Sequence, residues 1–253
     1  MRLVSYNILD GGTGRADPLA EVLLAQRPDV VVLVETQDPA VVERIANRLN
    51  MDFFRSDAEQ SAAVLSRWPM AETVDHAALR GEISKALLEA VVEAPDGARW
   101  PIGAVHLHAG AFEEDERVRE REIAAVLDVF ERYRRDNRPH LLAGDFNSDA
   151  PYQRIDPAQC KSKTQRAWEA NGKDLPRRVV QRLLDAGYTD TLRESDEQKG
   201  ATDVSFTTLH PGQRVDYVFG FGIEPGRIRS AWIEKDRLAK YASDHYPVGV
   251  ELD

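Results

Sequence analysis

Cysteine is all but missing: Cys160 is the single one in 253 residues. That excludes an intrachain disulfide framework and a thiolate metal cluster, and leaves Cys160 as a bystander thiol. Long apolar runs are missing too, so nothing approaches the roughly 20 residues that span a bilayer. The N-terminus, Met-Arg-Leu-Val-Ser-Tyr, turns polar at once and lacks the apolar core of a signal peptide. The expectation is a cytoplasmic protein with no transmembrane segment and no obligate protein partner. Positive charge is in deficit, 33 Lys and Arg against 43 Asp and Glu, for a net charge of −10 and a pI of about 5.2. This opposes diffuse binding to nucleic acid, which depends on neutralising phosphates with basic side chains. It leaves room for a local basic site, and a bound metal adds positive charge that a residue count omits. P-loop and dinucleotide-binding patterns are absent, so the glycines of residues 10–14 form a flexible loop without a nucleotide signature. There is no internal repeat, low-complexity stretch or linker, which favours one domain over residues 1–253.

What is present suffices for a large core: 42% of residues are apolar, too many for a disordered chain. Residues 3–7 read as a first strand. Leu19, Val22 and Leu23 follow Pro18 at helical spacing until Arg27-Pro28 ends the helix. Residues 30–34 are β-branched or leucine at every position, the mark of a strand covered on both faces, with Glu35 at its edge. Residues 41–49 read as a helix and 62–66 as a strand. Residues 86–93 and 100–106 read as a hairpin turning at Asp96-Gly97, with a helix over 82–91 as the alternative. His106 and His108 would share one face of that second strand. Residues 113–116, all acidic, read as the solvated start of a helix over 117–135 whose apolar stripe includes Val118, Ile123, Val126 and Phe130. Residues 150–178 form a polar stretch with seven bases and three acids, either a solvated insertion or a basic loop facing substrate. A helix over 179–186 stops at Gly187. Residues 205–208 and 214–219 read as strands joined through Pro211-Gly212, and Asp216 inside the second needs a partner. A terminal strand covers 248–252.

The stretch Leu141-Leu142-Ala143-Gly144-Asp145-Phe146-Asn147 organises the rest. An apolar strand runs into a glycine, which permits a sharp exit or a close backbone approach. Asp145 and Asn147, two apart, would project to one side if strand geometry persists. A carboxylate and a carboxamide there suit a hard cation or an activated water; the plain alternative is a turn. Asn7, Glu35, Asp216 and Asp244, with His106 and His245, stand similarly beside apolar runs. Together they look like one site along the rim of a sheet.

In Ser5-Tyr6-Asn7-Ile8, Leu33-Val34-Glu35-Thr36, Leu65-Ser66-Arg67-Trp68-Pro69, Val105-His106-Leu107, Gly144-Asp145-Phe146-Asn147, Arg214-Val215-Asp216-Tyr217 and Ser243-Asp244-His245-Tyr246-Pro247, the chain resembles the endonuclease/exonuclease/phosphatase superfamily, the deoxyribonuclease-I-like phosphoesterases. The resemblance implies an α/β fold, a four-layer sandwich of two packed mixed sheets flanked by helices. It implies a Mg2+-dependent phosphoester hydrolase, with Mn2+ as a substitute. Glu35 would be the direct metal ligand, with Asn7 and Asp244 beside it. Asp145 and Asn147 would orient water and the scissile phosphate, or help hold a metal. Asp216 would fix the tautomer of His245, which would act as base or stabilise phosphate oxygens. His106 would donate to the phosphate or serve the leaving group. Leu9 stands where the abasic-site nuclease branch commonly carries an acid, and no membrane-docking hydrophobic hairpin is evident. The substrate would be a phosphorylated small molecule, a lipid headgroup or nucleic acid, the last making the chain a DNA or RNA nuclease. A catalytically inactive binding or scaffold domain is the reading of another class.

Overall fold

The apolar runs at 30–34, 62–66 and 141–143 become central strands of two sheets. The computed structural model describes residues 1–56, 61–79 and 81–253. One sheet holds β1 (Arg2–Asn7), β2 (Val30–Val34), β3 (Asp52–Arg55), β4 (Ala62–Ser66), β11 (Ile228–Ile233) and β12 (Val248–Leu252), in the order β11-β12-β1-β2-β4-β3. The other holds β5 (Met70–Asp75), β6 (Ala86–Glu93), β7 (Arg99–His106), β8 (His140–Asp145), β9 (Thr189–Asp190) and β10 (Asp216–Phe221), in the order β5-β6-β7-β8-β10-β9. The sheets meet face to face over an apolar core that includes Leu3, Val32, Val64, Leu88, Ala104 and Leu141. Helices α1 (Ala16–Gln26) and α2 (Pro39–Leu49) cover the first sheet, and α3 (Glu113–Arg135) and α5 (Arg178–Asp185) the second. The result is the four-layer α/β sandwich expected.

Local chemistry explains the boundaries. The side chain of Asp38 caps α2 by accepting from the Ala40 N–H, with Pro39 in the first turn. Helix α1 ends where Arg27 turns left-handed ahead of Pro28. All five residues of β2 are buried, as a strand covered on both faces requires. The 82–91 region resolves as strand rather than helix, because β6 pairs along its whole length with β7.

Several expectations need correction. Glu113–Glu116 is no solvated cluster: Glu116 is fully buried, pairs with Arg119 and accepts from Ser148 and the Val179 N–H. Residues 205–208 are not a strand. Phe206 makes only isolated bridges, to Gln213 and His245. The following strand starts at Asp216 rather than Arg214, whose buried guanidinium instead pairs with Asp190 at 2.6 Å. The strand carrying His106 ends there, so His108 does not share its face and turns to Asp115 at 3.2 Å. The loop at 10–14 contains a 3-10 turn, and its N–H groups at Asp10 and Gly11 are taken by Glu35. The 150–178 stretch is folded, with α4 (Ser162–Ala170) in its middle and Thr164, Ala167 and Leu175 buried. Three short helices complete the chain: α6 (Thr191–Ser195), α7 (Glu197–Thr202) and α8 (Arg237–Ala242). No helix among the described residues is long and apolar enough to cross a membrane.

Strand direction places the site. β1 runs parallel to β2, and β7 parallel to β8, so the C-terminal ends of each pair coincide. β10 runs antiparallel to β8 with Asp216 opposite Asp145, and His106 faces Asp145 from the other side. Gly144 makes this junction possible. Its φ is +145°, and a Cβ there would sit 1.8 Å from the Val105 carbonyl oxygen. Gly144→Ala is expected to destabilise the protein by about 3 kcal/mol or more, read as a lowered denaturant midpoint. An unchanged midpoint would show that the β7–β8 junction is looser than drawn.

Candidate active site

Two loops and five strand ends converge at this end of the sandwich. The Asn7 Nδ2 group lies 3.1 Å from Glu35 Oε1, 3.1 Å from Asp145 Oδ2 and 3.4 Å from His245 Nε2. It therefore ties a strand end of one sheet to a strand end of the other. Its Oδ1 accepts from the Leu9 N–H, which fixes the rotamer. Glu35 Oε2 accepts from the Asp10 N–H at 2.9 Å. Glu35 and Asn147 both have left-handed backbones, φ 60° and 49°. Such conformations persist only when their surroundings over-determine them, and they cluster at functional sites.

Asp145 is 2% exposed and accepts from the Asn147 N–H at 2.9 Å. Asp145 and Asn147 are thus brought together by a turn, not by continuing strand geometry. The Asn147 side chain donates to the Leu107 carbonyl, leaving its Oδ1 toward the cavity it lines. His245 Nδ1 is 2.8 Å from Asp216 Oδ2, and Nε2 is 3.9 Å from both Asp145 Oδ2 and Asp244 Oδ1. The structure thus gathers all eight sequence-selected residues at one rim. Their roles are taken up below.

Burial sets the electrostatics. It pushes the Asp145 carboxyl up to about 6, with the neighbouring Asp216 charge adding to the shift. Burial alone would discharge His245, but the hydrogen-bonded Asp216 carboxylate outweighs it, helped by Asp145 and Asp244, and raises the imidazole to about 9. Burial, and then the charges of Lys85 and His245, hold His106 well below the usual histidine range. Its Nε2 lies 2.8 Å from Lys85 Nζ. A lysine ammonium only donates, so Nε2 accepts and the ring proton sits on Nδ1.

Lys85 is the residue that sequence reasoning missed. It precedes a strand and reads as an ordinary solvated lysine. Lys161 was visible only as one base among seven. Its ammonium lies 4.1 Å over the Phe206 ring, which packs 4.5 Å from His245. Both lysines line a cavity of about 190 Å3 with Glu35, Asp145, Asn147, Asp244 and His245.

A cation has a place here. Asp244 Oδ1 is buried without a hydrogen-bond partner, and Glu35 adds carboxylate oxygens of the kind that hard divalent ions take, with the Asn7 carboxamide beside them. Asp145, Asp216 and His245 also converge, with one ligand atom from each within 4.8 Å of the others. The His245–Asp216 hydrogen bond occupies part of that set, so the Glu35 side is the better fit.

A model described as the Endonuclease/Exonuclease/phosphatase family matches residues 4–245. No curated protein sequence matches. Among solved structures, the chain is similar to the 3′ phosphatase NExo from Neisseria bound to a product DNA hairpin, at 19% identity and TM-score 0.74 over 100% of this chain and 99% of that one. It is also similar to an AP endonuclease from Archaeoglobus fulgidus, at 17% identity and TM-score 0.72 over 100% and 99%. A humanised D. rerio TDP2 follows at 20% identity and TM-score 0.67 over 99% and 97%. At such identities these likenesses concern the fold.

The His245 shift has a consequence for stability. Its folded value, about 9, exceeds the unfolded value of 6.5. Its contribution is therefore complete below pH 6.5 and is lost as pH rises through 9. The melting temperature of the metal-free protein should fall across that window, and Asp216→Asn should flatten the fall. An identical slope in the variant would count against this pairing.

Proposed function

The chain belongs to the endonuclease/exonuclease/phosphatase family, hydrolases of phosphoester bonds, and from that premise we propose a Mg2+-dependent phosphoesterase, with Mn2+ as substitute, that activates water at Asp145. The observation that carries the proposal is the hydrogen-bonded set Glu35–Asn7–Asp145, with the Asp216–His245 pair beside it.

Glu35, Asn7 and Asp244 would hold the cation. When bound, it offsets the negative charge of the phosphate that otherwise repels an approaching nucleophile. The remaining chemistry falls to the chain. Asp145, whose carboxyl is held near 6, is ionised at neutral pH and basic enough to take a proton from water. The Asn147 N–H on its Oδ1 and the Asn7 Nδ2 group on its Oδ2 fix the carboxylate, with Oδ2 on the side of His245. His245, kept protonated by Asp216, presents Nε2–H to the phosphate oxygens. This favours Asp145 as the base and His245 as the stabiliser, a choice that the sequence leaves open. His106 Nε2 is occupied as an acceptor, so the donation expected of it passes to Lys85, which it orients. The water oxygen bonds to phosphorus as the bond from phosphorus to the ester oxygen breaks. One water proton goes to Asp145, and the ester oxygen takes a proton from the Lys85 ammonium and leaves as an alcohol. A cytoplasmic setting accords with the lone buried thiol.

Hydrolysis should require Mg2+ or Mn2+ and stop with a chelator. Asp216→Asn should lower kcat by about 100-fold to 10,000-fold, the usual range for a general acid–base system, with a smaller change in KM. The panel should include nucleic acids, nucleotides, inositol phosphates and phosphocholine lipids. Turnover that survives the chelator, or an undiminished Asp216→Asn enzyme, would sink the proposal, as would an inert protein on every substrate.

A further inference from the structure

The 150–178 segment does more than carry charge, because it walls the cavity. Its chain passes from one cavity-lining loop to another and is fastened at both. At one end, Thr164 Oγ1 donates to Gln213 Oε1 at 2.9 Å, both buried. Close by, Cys160 presses so tightly on Gly212 that a Cβ there would lie 2.4 Å from Sγ. At the other end, Asn171 Nδ2 donates to the Ala111 carbonyl at 3.0 Å. The loop it grips is itself fixed, since Arg119 donates to the carbonyls of His108 and Gly110. Arg177 fastens the return of the segment to the Ala150 and Gln153 carbonyls. The arm is therefore a built wall, and one side of the cavity is closed.

Two of its bases face inward. Arg177 and Arg178 are committed to Asp174, Glu113 and Glu120. Lys161 and Lys163 line the cavity instead. Among the described residues no carboxylate lies within ion-pair distance of either. In an acidic protein, two unneutralised ammonium groups beside a carboxylate-rich rim mark where anionic charge of a ligand would rest. The cavity, about 190 Å3, is smaller than the roughly 300–1,000 Å3 that enclose a drug-sized ligand. It takes a phosphate and leaves the rest of the substrate outside.

An internal phosphodiester needs an exit for chain on both sides of phosphorus, and carries one negative charge. A terminal phosphomonoester needs one exit and carries close to two, its second pKa lying near 6. Resting on the phosphoesterase reading, we propose that this site takes terminal phosphate groups end-on, with Lys161 and Lys163 of the walling arm holding the oxygens that a diester would use for its second chain.

The test compares three probes with Mg2+: p-nitrophenyl phosphate, a single-stranded oligonucleotide with a terminal 3′ phosphate, and the same oligonucleotide closed into a circle. Phosphate release from the first or second should exceed cleavage of the circle at least 100-fold, and which of the two is faster tells a small-molecule source from a nucleic-acid one. The paired change Lys161→Gln and Lys163→Gln should cut that preference at least tenfold and weaken inhibition by inorganic phosphate by a similar factor. Circular dichroism of the paired variant controls for folding, and single Lys163→Gln, at an exposed position, serves if the pair unfolds. Cleavage of the circle at a rate matching the open probes, or a preference and phosphate inhibition unchanged in the variants, overturns this inference while leaving the phosphoesterase standing. Inertness towards all three overturns this inference, and inertness towards the wider panel as well overturns both.

Discussion

The structure depends on holding carboxylates together at one end of two sheets without letting their repulsion part them. Asp145, Asp216, Glu35 and Asp244 all stand at this rim, and Asp145 and Asp216 are buried. Two like charges about 4 Å apart repel by roughly 4 kcal/mol at the effective dielectric of a protein. The chain answers with the neutral Asn7 carboxamide between Glu35 and Asp145, and with an imidazole between Asp216 and Asp145. Asn7 reaches from the first sheet to the second at this point. Its amide hydrogens therefore act as packing between layers and as charge management at once. Burial, and then the Asp216 charge, raises the Asp145 carboxyl, and the raised His245 imidazole records an unrelieved negative potential. A divalent cation would relieve it, and a protein so arranged gains stability from binding one.

Charges elsewhere are treated differently. Arg214 is buried with Asp190 and also donates to the Gly200 carbonyl and to Gln153. Arg119 is buried with Glu116, which in turn accepts from Ser148 and from the first turn of α5. Each of these ions has an opposite charge and extra hydrogen bonds, so breaking either pair would leave an uncompensated buried charge. These two pairs fix the surroundings of the rim. Arg214 immediately precedes the strand that delivers Asp216, and Arg119 holds the loop that follows His106. Paired charge builds the scaffold, and unpaired charge is left where a ligand can complete it.

Sequence patterns carried the interior well. Residues 30–34 could only be a doubly covered strand, and the Asp96-Gly97 hairpin declared its own turn. They carried the periphery poorly. β3 and β5 are edge strands with mostly exposed or half-exposed residues, so no alternation marked them. Glu116 hid in an acidic run, because only the tertiary fold decides which of four acids turns inward. The eight rim residues were legible because each follows or precedes an apolar strand in an order that a known family shares. Lys85 was not, since its meaning comes from pairing β6 with β7, which sets it against His106.

The difference between rim and wall bears on how far similarity to other proteins can inform chemistry. Strand ends are fixed by topology: once β1, β2, β7, β8 and β10 pair as they do, Asn7, Glu35, His106, Asp145 and Asp216 have little freedom to be elsewhere. A fold shared at 17–20% identity therefore fixes where these strand ends lie. The walls come from loops, whose course is set by individual contacts such as Thr164 to Gln213, Asn171 to Ala111 and Cys160 against Gly212. None of those contacts is required by the sheets. Phosphoester hydrolysis is what the family assigns to this chain, whereas the proposed choice among phosphoesters would belong to a short arm that the sheets do not require. Substrate preference in this protein must be argued from that arm, residue by residue, and not from the sandwich that carries it.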